Sequence, residues 1–121
     1  MKLLRNIPER KGRCKYALIR LDKLGLSDAE IGLLTPSNLA IFLASTLKHP
    51  AGPALINELI EFGEPGSENE FFAIKLKDIS AEAALNAYAL KACETDRELA
   101  ESVAELVLRS GPNNINCKVP D

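Results

Sequence analysis

A chain of 121 residues, 46% hydrophobic and 26% charged, has the size and composition of one soluble globular domain, and no apolar run approaches the roughly 20 residues that span a bilayer. Its net charge of −2 hides an asymmetry. Residues 1–24 carry eight bases (Lys2, Arg5, Arg10, Lys11, Arg13, Lys15, Arg20 and Lys23) against Glu9 and Asp22, whereas the other 97 residues carry 7 bases and 15 acids.

A +6 end on a −8 body suits a basic segment that meets something acidic. That partner is the protein's own body, a second copy, a nucleotide or a nucleic acid. The opening MKLLRNIPERKGRCK lacks the apolar core of a secretory signal. Cys14, Cys93 and Cys117 are an odd, widely spaced set with no C-x₂-C pair, which fits neither a disulfide framework nor a zinc site. The expected compartment is the cytoplasm, with reduced thiols, and no metal or cofactor is called for.

Taken in chain order, residues 1–12, with Pro8, Gly12 and scattered charge, read as a basic arm. The segment 14–24, CKYALIRLDKL, supports two readings. Ala17, Leu21 and Leu24 form a helical stripe, while Tyr16, Leu18 and Arg20 alternate as in a strand. Helix starts are then marked by capping boxes at Ser27–Glu30, Ser67–Glu70 and Thr95–Glu98, each with a hydroxyl at N-cap and glutamate at N3. Proline marks two more, at Thr35-Pro36 and Gly52-Pro53.

A helix over about 36–48 would bury Leu39, Phe42, Leu43 and Leu47, and one over about 53–62 would bury Leu55, Ile56, Leu59 and Ile60. The stretch 70–93 is ambiguous. Phe72, Ile74 and Leu76 alternate as in a strand, but Phe72, Leu76, Ile79, Ala83, Ala87 and Leu90 recur at helical spacing. The helical pattern accounts for more residues and predicts a long central helix. A last helix over about 96–110 would bury Leu99, Val103, Leu106 and Val107 and expose Glu98, Glu101 and Glu105. Gly111-Pro112 would stop it. The tail 112–121 reads as irregular, pinned by Ile115 and Cys117.

Catalytic patterns are scarce. His49, between Lys48 and Pro50, is explained by the end of a helix, where a cation complements the dipole. Asp78 and Glu82 would stand one turn apart on the long helix, and two carboxylates could share a proton. No serine elbow, histidine or metal pattern accompanies them, and a solvated face suffices. The loop Gly63-Glu64-Pro65-Gly66-Ser67 lacks the spacing of a phosphate-binding loop and is ringed by Glu64, Glu68 and Glu70. The basic segment remains the candidate. Arg10, Lys11, Arg13 and Lys15 would suit a compact anion such as nucleotide phosphates, with Lys75 or Lys77 completing a pocket. Nucleic acid fits least, because the segment has one aromatic, Tyr16, and the body is acidic.

From residue 70 onward the chain resembles a group of small uncharacterised proteins encoded by phages and prophages. EFFAIKLKD, AALNAYA, DRELAESVAELVLRSG and the closing CKVPD carry the resemblance. It implies a role inside an infected bacterial cell, where small accessory proteins act by binding, some by blocking a host defence protein and others by sequestering a nucleotide signal.

The expected fold is therefore all-α, a single-domain bundle of about five helices over residues 1–121. The main alternative is α+β with one short strand pair. The expected function is non-enzymatic: a phage-type accessory protein, in the manner of a counter-defence factor, that captures an anionic partner such as a nucleotide signal. The alternative is a protein-interaction module that docks an apolar helix face on a host protein. An exposed leucine or phenylalanine on a helix would favour the second reading, and a polar basic cavity the first. A homo-oligomer is expected in either case, since a basic end and an acidic body complement each other between copies, and no membrane is involved.

Overall fold

The computed structural model describes residues 7–119, which group into two compact units, 7–72 and 73–119. The chain is mostly helical, with five α-helices and one short antiparallel strand pair among the described residues. The all-α expectation is thus corrected to its alternative, because part of the ambiguous segment 14–24 becomes a strand.

In the first unit, a 3₁₀ turn at Pro8–Arg10 leads to β1 (Leu18–Ile19), then to a second 3₁₀ turn at Leu21–Lys23 and α1 (Asp28–Gly32). Next come α2 (Pro36–Leu47), α3 (Gly52–Leu59) and β2 (Ile60–Glu61). Leu18 pairs with Glu61 and Ile19 with Ile60, so the end of α3 is tied to the segment 14–24.

The capping box at Ser27 forms in full. The Ser27 amide donates to Glu30 Oε1 at 3.0 Å, and that bond holds the Glu30 carboxyl below its usual pKa. Thr35 caps α2, with Pro36 at its start, as its sequence predicts. Helix α3 begins one residue earlier than the proline rule suggests, with Gly52 at its first position.

Helix α2 turns Leu39, Phe42, Leu43 and Thr46 inward, and α3 contributes Ile56 and the buried Leu59. Leu47 and Leu55, expected in the core, are about half exposed. They stand at the rim of the α2–α3 contact, where a short helix pair cannot enclose them. Leu24 and Leu59 are the only buried large aliphatic side chains of this unit among the described residues.

The second unit is built on α4 (Ala81–Ala92) and α5 (Arg97–Val107), followed by a 3₁₀ turn at Gly111–Asn113. Asp96 rather than Thr95 caps α5, its carboxylate accepting from the Leu99 amide at 3.0 Å. Ala100 and Val103 are buried, with Leu106 and Val107 half-buried beside them. Leu99 is partly exposed instead of buried.

The tail is not wholly irregular. The Lys118 amide donates to the Lys77 carbonyl at 2.9 Å, and the Ile79 amide donates to the Lys118 carbonyl at 3.1 Å. These bonds make a parallel bridge at Asp78 and Lys118. That backbone bridge, and not Ile115, pins the tail, since Ile115 is 99% exposed.

The long central helix is corrected. Residues 62–80 contain no helix, and α4 begins only at Ala81. The reason lies in the supposed capping box. Ser67 Oγ turns back and donates to the Glu64 carbonyl at 2.7 Å, and Glu70 accepts from the Gly66 amide at 2.8 Å. Gly63 and Gly66 have positive φ, so these groups close a tight turn and not a helix start.

The expected buried stripe fails with it. Phe72, Ile79, Ala83, Ala87 and Leu90 are all exposed, and only Leu76 is half-buried. The face of α4 that packs is Ala81, Leu85, Ala89 and Ala92. The outward face therefore carries Ala83, Ala87 and Leu90 one turn apart.

Candidate functional site

The N-terminal bases form a structured surface from Pro8 onward. Lys11 adopts a left-handed backbone with φ of 52° as it closes the Pro8–Arg10 turn. Gly12 follows at φ of 84° and lies directly against the Pro65 ring, with no room for a Cβ. The turn that misled the helix prediction is thus the surface on which this segment rests.

Arg10 is spent on that conformation. Its guanidinium donates to the Arg13 carbonyl at 3.1 Å and to the Cys14 carbonyl. Arg13 pairs with Glu64 at 3.2 Å and lies 4.0 Å over the Phe62 ring, so a charge pair and a cation–π contact hold it together. Arg20 chelates Asp22 through Nε at 3.0 Å and Nη2 at 2.7 Å, and reaches Glu61 at 3.4 Å. The hydrogen bond from Arg20 holds the Asp22 carboxyl below its usual range, and Asp22 in turn raises Arg20.

Glu9, Arg10, Lys11 and Arg13 line an open hollow of about 370 Å³. Lys11 and Lys15 are exposed and form no ion pair among the described residues. The structure thus brings Arg10, Lys11 and Arg13 together. Lys75 and Lys77 belong to the second unit, in the stretch leading to the Asp78–Lys118 bridge. Residues 1–6 of the expected basic arm, with Lys2 and Arg5, lie outside the described residues.

Because both arginines already have partners, their removal tests a structural role. Arg13→Gln is expected to cost under about 1 kcal/mol of stability, since its partner Glu64 and Arg13 itself are each about half exposed. Thermal unfolding compared with Lys11→Gln, which should leave stability unchanged, checks this.

The two carboxylates considered for acid–base work are also engaged, and they do not share a helix. Asp78 precedes α4 and accepts from the Ser80 amide at 2.8 Å. Glu82, on α4, accepts from Asn113 Nδ2 at 2.9 Å. His49 follows the C-cap of α2, its amide donating to the Thr46 carbonyl at 3.2 Å. No group of three or more His, Cys, Asp or Glu side chains among the described residues is placed to hold a metal ion. No helix among them is long and apolar enough to cross a membrane.

The second candidate surface was hidden in the sequence. Helix α4 has two apolar faces. One packs on α5, and the other presents Ala83, Ala87 and Leu90, the last 75% exposed. The signal was present as a second stripe, Ala81-Leu85-Ala89-Ala92, offset from the one the spacing suggests. With these geometries in hand, comparison with known proteins adds no relative: no family model, curated protein or solved structure matches the chain.

Proposed function

We propose that this protein is a non-enzymatic binding protein that recognises another protein through the outward face of α4. The observation that carries this reading is the exposed row Ala83, Ala87 and Leu90 on a helix whose other face is already satisfied by α5. An apolar helix row of this kind is the anchor pattern of helix-mediated recognition, read at i, i+4 and i+7. The C-terminal resemblance suggests the setting, an accessory protein of phage or prophage origin that blocks or recruits a host protein.

A photo-crosslinking amino acid at Ala87, in cells that make the protein naturally, should capture one discrete partner. Leu90→Asp should abolish that capture while leaving the helical circular dichroism unchanged, because Leu90 touches solvent and not the α4–α5 seam. Crosslinks no more frequent at Ala87 than at a charged surface position such as Glu101 would overturn the reading.

Capture of an anion is the second reading, supported by the open basic hollow and by the exposed Lys11 and Lys15. In this reading the two lysines grip the ligand and the two arginines hold the loop that presents them. Native mass spectrometry of protein from its own host should then release a stoichiometric anion. Lys11→Gln with Lys15→Gln should lose it without loss of stability. Protein isolated without any bound anion, and with no affinity for added nucleotides, would remove this reading.

A further inference from the structure

The open hollow of the first unit contains one side chain that a plain anion site does not call for. Glu9 lines it together with Arg10, Lys11 and Arg13. Its side chain is exposed and enters no ion pair or hydrogen bond among the described residues. An acid set among bases repels a bare anion, so Glu9 decides which anions the hollow accepts.

The charges follow from the partners. Arg13 is balanced by Glu64. The carbonyls of Arg13 and Cys14 take up hydrogen bonds of Arg10 without cancelling its charge. Lys11 is exposed, in no ion pair among the described residues, and carried on the left-handed backbone that closes the Pro8–Arg10 turn. Two uncancelled cations therefore share the hollow with one uncancelled carboxylate.

A phosphate ester, carrying roughly −1.5 to −2 charge at pH 7, matches the cations. Glu9, an acceptor only, asks for a donor on the same ligand. An ammonium donor would sit among three bases and be repelled. A neutral hydroxyl is not, and the two oxygens of a carboxylate accept from two neighbouring hydroxyls at once. The volume of about 370 Å³ lies near the low end of the roughly 300–1,000 Å³ of small-molecule sites, which suits a sugar phosphate.

We infer that the hollow takes a phosphate ester bearing a vicinal diol, a ribose phosphate, with the phosphate on Lys11 in the field of Arg10 and the diol on Glu9. This rests on the anion reading above, to which it adds Glu9 as the residue that sets specificity, and it is independent of the α4 face. A free sugar phosphate and a mononucleotide present the same chemistry.

Titration of the full chain with inorganic phosphate, ribose phosphate and deoxyribose phosphate, followed through the amide resonances of residues 9–13, tests it. Ribose phosphate should bind at least about threefold more tightly than its deoxy counterpart, the worth of a modest net hydrogen bond. Glu9→Ala should erase that preference and tighten inorganic phosphate about two- to fivefold, the scale of one exposed charge contact. Lys11→Gln should weaken all three ligands and keep the preference. The same preference for adenosine monophosphate over deoxyadenosine monophosphate places the diol within a nucleotide, whereas one confined to the free sugars assigns the hollow to sugar phosphates. Equal affinity for the two sugar phosphates overturns the inference and leaves the anion reading standing, as does a preference that survives Glu9→Ala. Resonances that do not move with any of the three ligands remove both.

Discussion

Gly52→Ala is expected to destabilise the α2–α3 pair by roughly 1–3 kcal/mol, the usual cost of overpacking a filled site. Gly52 is buried at the first position of α3, and a Cβ built there would fall on the Thr46 carbonyl and 2.9 Å from Leu47 Cα. Both obstacles are backbone, so no side chain can swing aside, and the last turn of α2 must move. The helix-propensity gain of alanine over glycine is at most about 1 kcal/mol, so the clash wins. Gly32→Ala supplies the opposite sign. It lies in α1 with nothing within 4 Å of its Cβ and no positive φ. It should therefore stabilise by about 0.4–1 kcal/mol through the unfolded chain. Thermal unfolding followed by circular dichroism reads both, and faster amide exchange within α2 and α3 locates the first. An unchanged midpoint for Gly52→Ala would mean that α2 and α3 do not approach as closely as the structure has them.

How much of this could be read from the chain depends on how local the deciding interaction is. The starts of α1 and α2 were legible because the deciding bonds close within one turn: Ser27 and Glu30 accept from each other's amides, and Thr35 Oγ1 accepts from the Asn38 amide, with Pro36 between them bringing no donor of its own. The same four-residue pattern at Ser67 failed. The preceding Gly63 and Gly66, at positive φ, favoured a turn there over a helix, and Ser67 bonded backwards to Glu64. Once that start was lost, the register of the following stripe was set by contact with α5, which sequence spacing cannot see. Helix α4 offers apolar residues on both faces, so periodicity alone could not say which one packs.

The candidate site divides in the same way. A cluster of bases was visible in composition, but their partners were not. Arg13 meets Glu64 and Phe62 across about fifty residues of chain, and Arg10 bonds carbonyls that are aligned only because Lys11 and Gly12 turn through positive φ. The charge asymmetry that opens the sequence is partly spent inside the first unit, through Arg13 with Glu64 and Arg20 with Asp22 and Glu61. What remains for a ligand in the described part of that segment is carried by the exposed Lys11, Lys15 and Lys23, of which Lys11 lies at the hollow.

Ala100→Leu is expected to be the most damaging conservative change in the second unit, at roughly 1–3 kcal/mol. Ala100 is 2% exposed, and Ala81 and Ala89 across the seam are buried as well. Small side chains at the contact let two helix axes approach toward the near end of the usual 8–10 Å range. Three more heavy atoms at that point must either part the helices or force a strained rotamer. Parting them would also loosen the neighbouring backbone, because the Gly111 amide, just beyond α5, donates to the Leu76 carbonyl at 2.8 Å. Ala83→Leu adds the same atoms to the same helix pair on the outward face of α4, where they meet only solvent. It should leave the urea midpoint unchanged within error. The pair of variants therefore decides which stripe of α4 is the packed one. The spacing of Phe72, Leu76, Ile79, Ala83, Ala87 and Leu90 predicts damage at Ala83, whereas the structure predicts it at Ala100. A larger midpoint shift for Ala83→Leu than for Ala100→Leu would restore the stripe read from the sequence and remove the exposed face on which the proposed recognition rests.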